Sequence, residues 1–318
     1  MNRPYRLWTH TETNQFLQLW ESGKTIPEIS KIIGRSIKSV EKKYWRAYSR
    51  GAMANMNRKA MRSPINGRYE TVLGQQVRVW DDSVIINSDK FIVISDVHLP
   101  FAYMPIIEDM LSTAKQNKTD TLIVDGDLYS LEALSFFTQD ISSPGLVTEL
   151  QSAERLLEIF YKQFKKIIII PGNHEARYWK MMDGRDNLPK FVEFFLNRIR
   201  EKHDIRMVYH QYIDVIDKNT PYPWHITHQE NASKYPCAVG RMMSRTITDK
   251  HIITSHTHRA GICPAEDGLR VVAEIGCMTH KKYHHYMMRK DNCGGTWVPA
   301  YLIVQNGSAQ LKTMMGIG

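Results

Sequence analysis

The sequence predicts an α/β layered domain, central β-sheets flanked by helices, with a small three-helix domain ahead of it. Two observations carry this. From residue 77 onward, apolar runs of strand length alternate with stretches of helical periodicity, the pattern of sheets covered by helices. Before residue 52, three short amphipathic segments each open on a capping residue and close on a glycine, the pattern of a compact helical unit.

Composition sets the class. The 318 residues are 42% hydrophobic and 24% charged, ordinary for a chain that buries a core. No stretch approaches the ~20 apolar residues of a membrane helix, and the first ten residues hold no apolar leader, so neither a membrane nor a secretory route is expected. Cys237, Cys263, Cys277 and Cys293 stand singly, which argues against a disulfide framework or zinc knuckle and for a reducing cytoplasm. The net charge of +9 is unevenly placed: residues 1–70 hold 14 Lys and Arg against 5 Asp and Glu, and the remaining 248 hold 28 of each. The basic excess belongs to the N-terminal segment and points to a polyanion partner there.

In that segment, Thr9 and Glu12 form a capping box ahead of Phe16, Leu17, Leu19 and Trp20, with Gly23 as the stop. Thr25 and Glu28 repeat the box ahead of Ile29, Ile32 and Ile33, and Gly34 follows. Ser36 can cap a third helix running to about Ser49. On it Lys38, Lys42 and Arg46 recur every fourth residue and share a face, with Arg35 and Lys43 beside them. A trihelical unit with a basic last helix has the layout of a helix-turn-helix reader of the DNA major groove. Residues 5–50 resemble Myb/SANT-like domains through Trp8, Trp20 and the run from Gly34 to Val40. The resemblance implies DNA contacts from Arg35, Lys38, Lys42, Lys43 and Arg46. The expected organisation is a helical domain over 1–52, a linker over 53–76 and the α/β domain over 77–318.

In the larger domain, strands are expected at Phe91–Ser95, Thr121–Val124, Ile167–Ile170, Met207–His210, Trp224–Thr227, Ile252–Ser255, Val271–Ile275 and Tyr301–Val304. Helices are expected near Met104–Gln116, Val147–Phe164, Leu188–Glu201 and Val239–Thr248. Five strands are followed at once by polar residues of one kind: Asp96 and His98; Asp125 and Asp127; Asn173, His174 and Glu175; His228; His256 and His258. Carboxyl ends of strands are where α/β proteins bind ligands. Carboxylates, imidazoles and one amide, with no thiolate, suit Mn, Fe, Zn or Mg. The set is large enough for two ions, and a shared carboxylate can hold two cations ~3.5–4 Å apart.

Taken in order, D-x-H, G-D, G-N-H-E, H and H-x-H resemble the signature of the calcineurin-like metallophosphoesterases, over about residues 90–260. Ser255 and Gln229 stand where that family usually has glycine. The resemblance implies that Asp96, His98 and His258 hold one metal, Asn173, His228 and His256 a second, and that Asp127 bridges them. His228 is preferred to His225 because it ends its strand. His174 is implied to face the substrate and assist the leaving group, and Arg177 beside it can contact a substrate phosphate. The implied reaction is hydrolysis of a P–O bond by in-line attack of a hydroxide between two divalent ions, manganese first among them. The basic helical domain makes DNA the expected substrate and the protein a nuclease. A phosphomonoesterase or small-molecule phosphodiesterase held on DNA, or a DNA-binding regulator with a vestigial metal site, are the alternatives. The run from Lys281 to His285 reads as a polar loop.

Overall fold

The computed structural model describes residues 8–21, 24, 26–40, 43, 69–72, 75–78, 84–135, 144–181, 204–208, 211–284 and 297–314. The chain divides into two compact units, Met1–Asn66 and Gly67–Gly318.

The first unit holds α1 (His10–Glu21), α2 (Ile26–Ile33) and a helical stretch at residues 37–40. The capping box forms as the sequence requires: Thr9 N–H donates to Glu12 Oε2 at 2.9 Å, and Glu12 N–H to Thr9 Oγ1 at 3.1 Å. Phe16, Ile26, Ile29 and Val40 are buried and make the small core. Trp8 lies edge-on to Phe16 at 6.0 Å and donates its indole N–H to Ser39 Oγ at 3.3 Å. Arg35 is engaged within the unit. Its Nη2 lies 2.8 Å from Glu12 Oε2, its guanidinium sits 4.7 Å from the centre of the Trp8 ring, and its side chain is 6% exposed. The capping carboxylate and the indole face take up this cation, so Arg35 cements the unit. The ammonium of Lys43 stands 5.3 Å from the same ring, and Lys38 is exposed. Thr25 and the side chains of Trp20, Lys42 and Arg46 lie outside the described residues.

The second unit begins with a hairpin, β1 (Tyr69–Val72) against β2 (Gln75–Arg78), at the end of the stretch read as a linker. Two six-stranded sheets follow. The first has the order β14 (Ser308–Thr313), β13 (Ala300–Gln305), β4 (Lys90–Ile94), β5 (Thr121–Asp125), β6 (Lys166–Ile170), β7 (Asp204–Met207). Its strands β4 to β7 are parallel, and β13 pairs antiparallel with β4. The second has the order β11 (Ala260–Pro264), β12 (Val271–Ile275), β10 (His251–Thr254), β9 (Trp224–Thr227), β8 (Tyr212–Ile216), β3 (Ile85–Asn87). There β9, β10 and β12 are parallel.

One core joins the sheets. Phe91, Val93, Ile123, Ile168, Ile170 and Leu302 from the first meet Ile213, Val215, Trp224, Ile226, Ile253 and Ile275 from the second. Alternate residues Ile92, Ile94, Leu122 and Val124 are equally buried on the opposite face, which is why these strands read as unbroken apolar runs. Helices flank the sheets. On α3 (Met104–Asn117), Asp109 Oδ2 accepts the Tyr301 hydroxyl of β13, and Thr113 Oγ1 lies against the same oxygen, each at 2.7 Å. The other helices are α4 (Leu146–Tyr161), α5 (Glu175–Met181) and α6 (Ala238–Met243). The strand expected at Met207–His210 lies earlier, at Asp204–Met207, and the helix expected over 188–201 falls outside the described residues.

Candidate metal centre

The parallel strands β4, β5 and β10 each end in a sharp turn. Asp96, His98, Asp127, His256 and His258 all adopt positive φ, between 49° and 84°. Non-glycine residues avoid that region, at a cost of about 1–3 kcal/mol each, and persist there only when their surroundings over-determine them. The turns fold the side chains back over the strand ends. Gly126 is required here: at φ +77, with a Cβ it would lie 2.2 Å from the His228 ring.

The carboxylates are each pinned by one oxygen. Asp96 Oδ2 accepts the His256 N–H at 3.1 Å and the Ser95 hydroxyl. This leaves Oδ1 facing His258 Nε2 at 3.0 Å and His98 Nε2 at 3.6 Å. Asp127 Oδ1 accepts the His174 N–H at 2.8 Å. Its Oδ2 faces His228 Nε2 at 3.5 Å, His174 Nε2 at 3.7 Å and His98 Nε2 at 4.0 Å. Asn173 Oδ1 stands 3.1 Å from His228 Nε2. Three groups of potential metal ligands result, Asp96–His98–His258, His98–Asp127–His174 and Asp127–His228–His256. His98 and Asp127 each belong to two of them, so the middle group links the outer two.

The donor set fits cations. His256 Nδ1 is buried without a hydrogen-bond partner among the described residues, and the buried Asp96 Oδ1 faces only imidazole nitrogens, a costly state unless another positive or donor group completes it. Nε2 atoms of His98 and His258 face one another at 3.0 Å. Burial alone would raise Asp96 and Asp127, but the neighbouring imidazoles outweigh it and hold both carboxyls well below the ordinary range. Both are anionic at neutral pH.

Around these residues lies a second layer that the sequence reading missed. The Glu175 carboxylate, at the start of α5, accepts N–H groups from Asp127 (3.0 Å), Tyr129 (3.0 Å) and Gly172 (2.8 Å), tying together the turns after β5 and β6. The two departures from glycine make contacts of their own. Ser255 Oγ donates to Asp125 O at 3.0 Å and lies 2.9 Å from His228 Nδ1, while Gln229 Nε2 donates to Ser255 O at 3.2 Å. With His228 Nδ1 also 2.7 Å from Asp125 O, the ring presents Nε2 inward. His225 is held elsewhere, against Asp214 at 2.8 Å. Asp125 stays outside the ligand groups, and burial pushes its carboxyl up to about 7.

His174 Nδ1 lies 2.7 Å from Ser130 O and so donates, leaving Nε2 to accept from Arg177 Nη2 at 3.0 Å. Burial holds His174 down to about 3, against the pull of Asp127. The run read as a polar loop is built into the site's wall: Lys281–Tyr283 form a 3-10 turn, and His284 is buried 5.7 Å from the His98 ring and 5.1 Å from Trp297. Trp297 in turn packs on His258 at 3.9 Å. Aromatic packing on ligand-side rings has no local sequence signal.

Two packed sheets with Asp, His and Asn converging at their carboxyl ends define a phosphoesterase-type metal site. Residues 89–260, more than half of the chain, match the calcineurin-like phosphoesterase family, and the chain belongs to it. Among solved structures it is similar to an archaeal phosphodiesterase, with 18% identity over 71% of this chain and 99% of that one and a TM-score of 0.40. It is also similar to zinc-complexed Vps29 of Entamoeba histolytica, with 13% identity, coverage of 71% and 98%, and a TM-score of 0.37. The phosphoesterase YfcE of E. coli matches with 15% identity, coverage of 68% and 88%, and a TM-score of 0.35. A search of curated proteins gives no match. Among the described residues no helix is long and apolar enough to cross a membrane.

Proposed function

We propose that the protein is a phosphodiesterase that works with two divalent cations, manganese foremost, and acts on DNA. The observation that supports the hydrolase reading is the convergence of Asp96, His98 and His258 in one group and of Asp127, His228 and His256 in a second, with Asp127 Oδ2 4.0 Å from His98 Nε2 of the first. Asp96, His98 and His258 would hold one cation, and Asn173, His228 and His256 the other. When bound, such ions supply Lewis acidity toward phosphoryl oxygens and a lowered pKa for water. The chain's own part is then definite. Two carboxylates only partly offset two dications, so the site stays positive and draws in a phosphodiester anion. Arg177 has one N–H on Ser130 O at 2.8 Å and another on His174 Nε2, and can turn the second toward a phosphate oxygen. His174 Nε2, once released and protonated, can pass its proton to the departing oxygen.

The DNA direction rests on charge. The first 70 residues carry the entire net charge of +9, and a helical unit within them would raise the local concentration of any DNA it holds. The test is a Mn²⁺-dependent cleavage assay on plasmid, single-stranded and branched DNA, with Asp127→Ala and a Lys38→Glu, Lys42→Glu, Arg46→Glu triple variant as controls. Cleavage lost in both supports the proposal. Turnover of p-nitrophenyl phosphate with no DNA cleavage would replace it with a small-molecule phosphatase.

A further inference from the structure

The turn after β5 continues from Asp127 through Ser130 and Leu131 into a 3-10 turn at Glu132–Leu134. Leu131 is fully buried and sits at φ +45, a strained position for a branched side chain. What holds it is Glu149, a fully buried carboxylate in the first turn of α4. Its Oε2 accepts the Leu131 N–H at 2.5 Å and its Oε1 the Glu132 N–H at 3.2 Å. One residue upstream, the Ser130 carbonyl accepts from both His174 Nδ1 (2.7 Å) and Arg177 Nη1 (2.8 Å). The Ser130 N–H is tied in turn to Leu99 O at 3.1 Å. Ser130 O is therefore the acceptor that sets both the tautomer of His174 and the direction of Arg177, and its plane is fixed by the amide that Glu149 grips.

Resting on the phosphodiesterase reading above, we propose that Glu149 is a positioning residue: by clamping the Leu131 and Glu132 amides it aims the Ser130 carbonyl, which orients His174 and Arg177 toward the scissile phosphate. Glu149 lies outside the D-x-H to H-x-H series, 18 and 17 residues from the amides it holds. Burial pushes its carboxyl up to about 8, yet each oxygen can accept an N–H in either protonation state, so the clamp spans the neutral range.

A structural role alone would lower stability and affect all substrates alike. Positioning of His174 predicts more. In Mn²⁺-loaded full-length protein, Glu149→Gln keeps the volume but sets an NH₂ against one of the two amides. It should lower kcat about tenfold for diphenyl phosphate, whose leaving group needs a proton, and far less for bis(p-nitrophenyl) phosphate, with KM little changed. In a His174→Ala background the same change should cost clearly less than in the wild type, since the part of its effect that passes through His174 is already gone. Amide exchange measured by NMR should rise at Leu131 and Glu132 in the unloaded protein as well. Additive losses with His174→Ala, or equal losses on the two esters, would overturn the inference while leaving the hydrolase reading intact. A wild-type protein that cleaves neither ester would remove the hydrolase reading, and this inference with it.

Discussion

Gly172 approaches Asp127 so closely that a Cβ placed on it would lie 2.2 Å from Oδ1 and 2.5 Å from the backbone nitrogen of that residue. Backbone cannot yield by the ångström this requires, so the turn after β6 is open only to glycine. Gly172→Ala should displace Asp127 and Asn173 together. We expect kcat for a phosphodiester to drop ~100-fold or more, with bound manganese lost in parallel by elemental analysis.

The Glu175 carboxylate answers three buried N–H groups from two turns. Removing it leaves all three without that acceptor, at a cost of about 1–3 kcal/mol each. Glu175→Ala should therefore lose at least ~3 kcal/mol in urea unfolding, whereas Arg177→Ala, on the half-buried outer side of the same helix, should impair turnover with a much smaller stability change.

His251 supplies a pH dependence separate from the metal centre. Its Nδ1 accepts the Val271 N–H at 2.9 Å, its Nε2 meets Thr220 Oγ1 at 3.0 Å, and its ring packs on Trp224 at 4.1 Å. Burial and the Arg270 charge hold it down from 6.5 to about 4. A depressed histidine contributes stability that is present above the unfolded value and is lost as pH falls toward the folded one. Between pH 6.5 and pH 4 the unfolded chain takes up the proton first. The wild type should lose roughly 2 kcal/mol more than His251→Gln across that window, allowing for solvent screening. Metal-free unfolding curves of both proteins measure the difference.

Arg35 and Glu12 form an ion pair with the cation largely buried, which changes the expected salt dependence of DNA binding. Four other cations, Lys38, Lys42, Lys43 and Arg46, then meet phosphates under the proposed DNA reading. Affinity should fall ~150-fold between ~50 and ~200 mM salt, measured by fluorescence anisotropy. Arg35→Ala should lower the melting temperature of the helical unit more than it changes that slope.

The strands that bring residues to the site were legible because each is buried on both faces and so reads as an unbroken apolar run: Phe91–Ile94, Leu122–Val124, Ile167–Ile170 and Ile252–Thr254 all have fully buried members. Strands at the sheet margins were not. Serine, glutamine and lysine alternate along β14, an exposed edge strand, and β11 carries a glycine and a proline at the other sheet's edge. Neither has the composition of a core strand, and each is specified by its neighbour's open hydrogen bonds.

From the sequence alone followed the strand-end order of carboxylates, imidazoles and amide, the capping box at Thr9 and the basic head, since each is a local pattern of residue types. Tertiary structure alone decided that His225 is held by Asp214, that Arg35 closes on Glu12 and Trp8, and that Glu149 and Glu175 hold the turns. These depend on which side chain a distant backbone N–H or charge meets, and partners 18 to 48 residues apart, as with Leu131–Glu149 and Asp127–Glu175, leave no periodic mark in the chain.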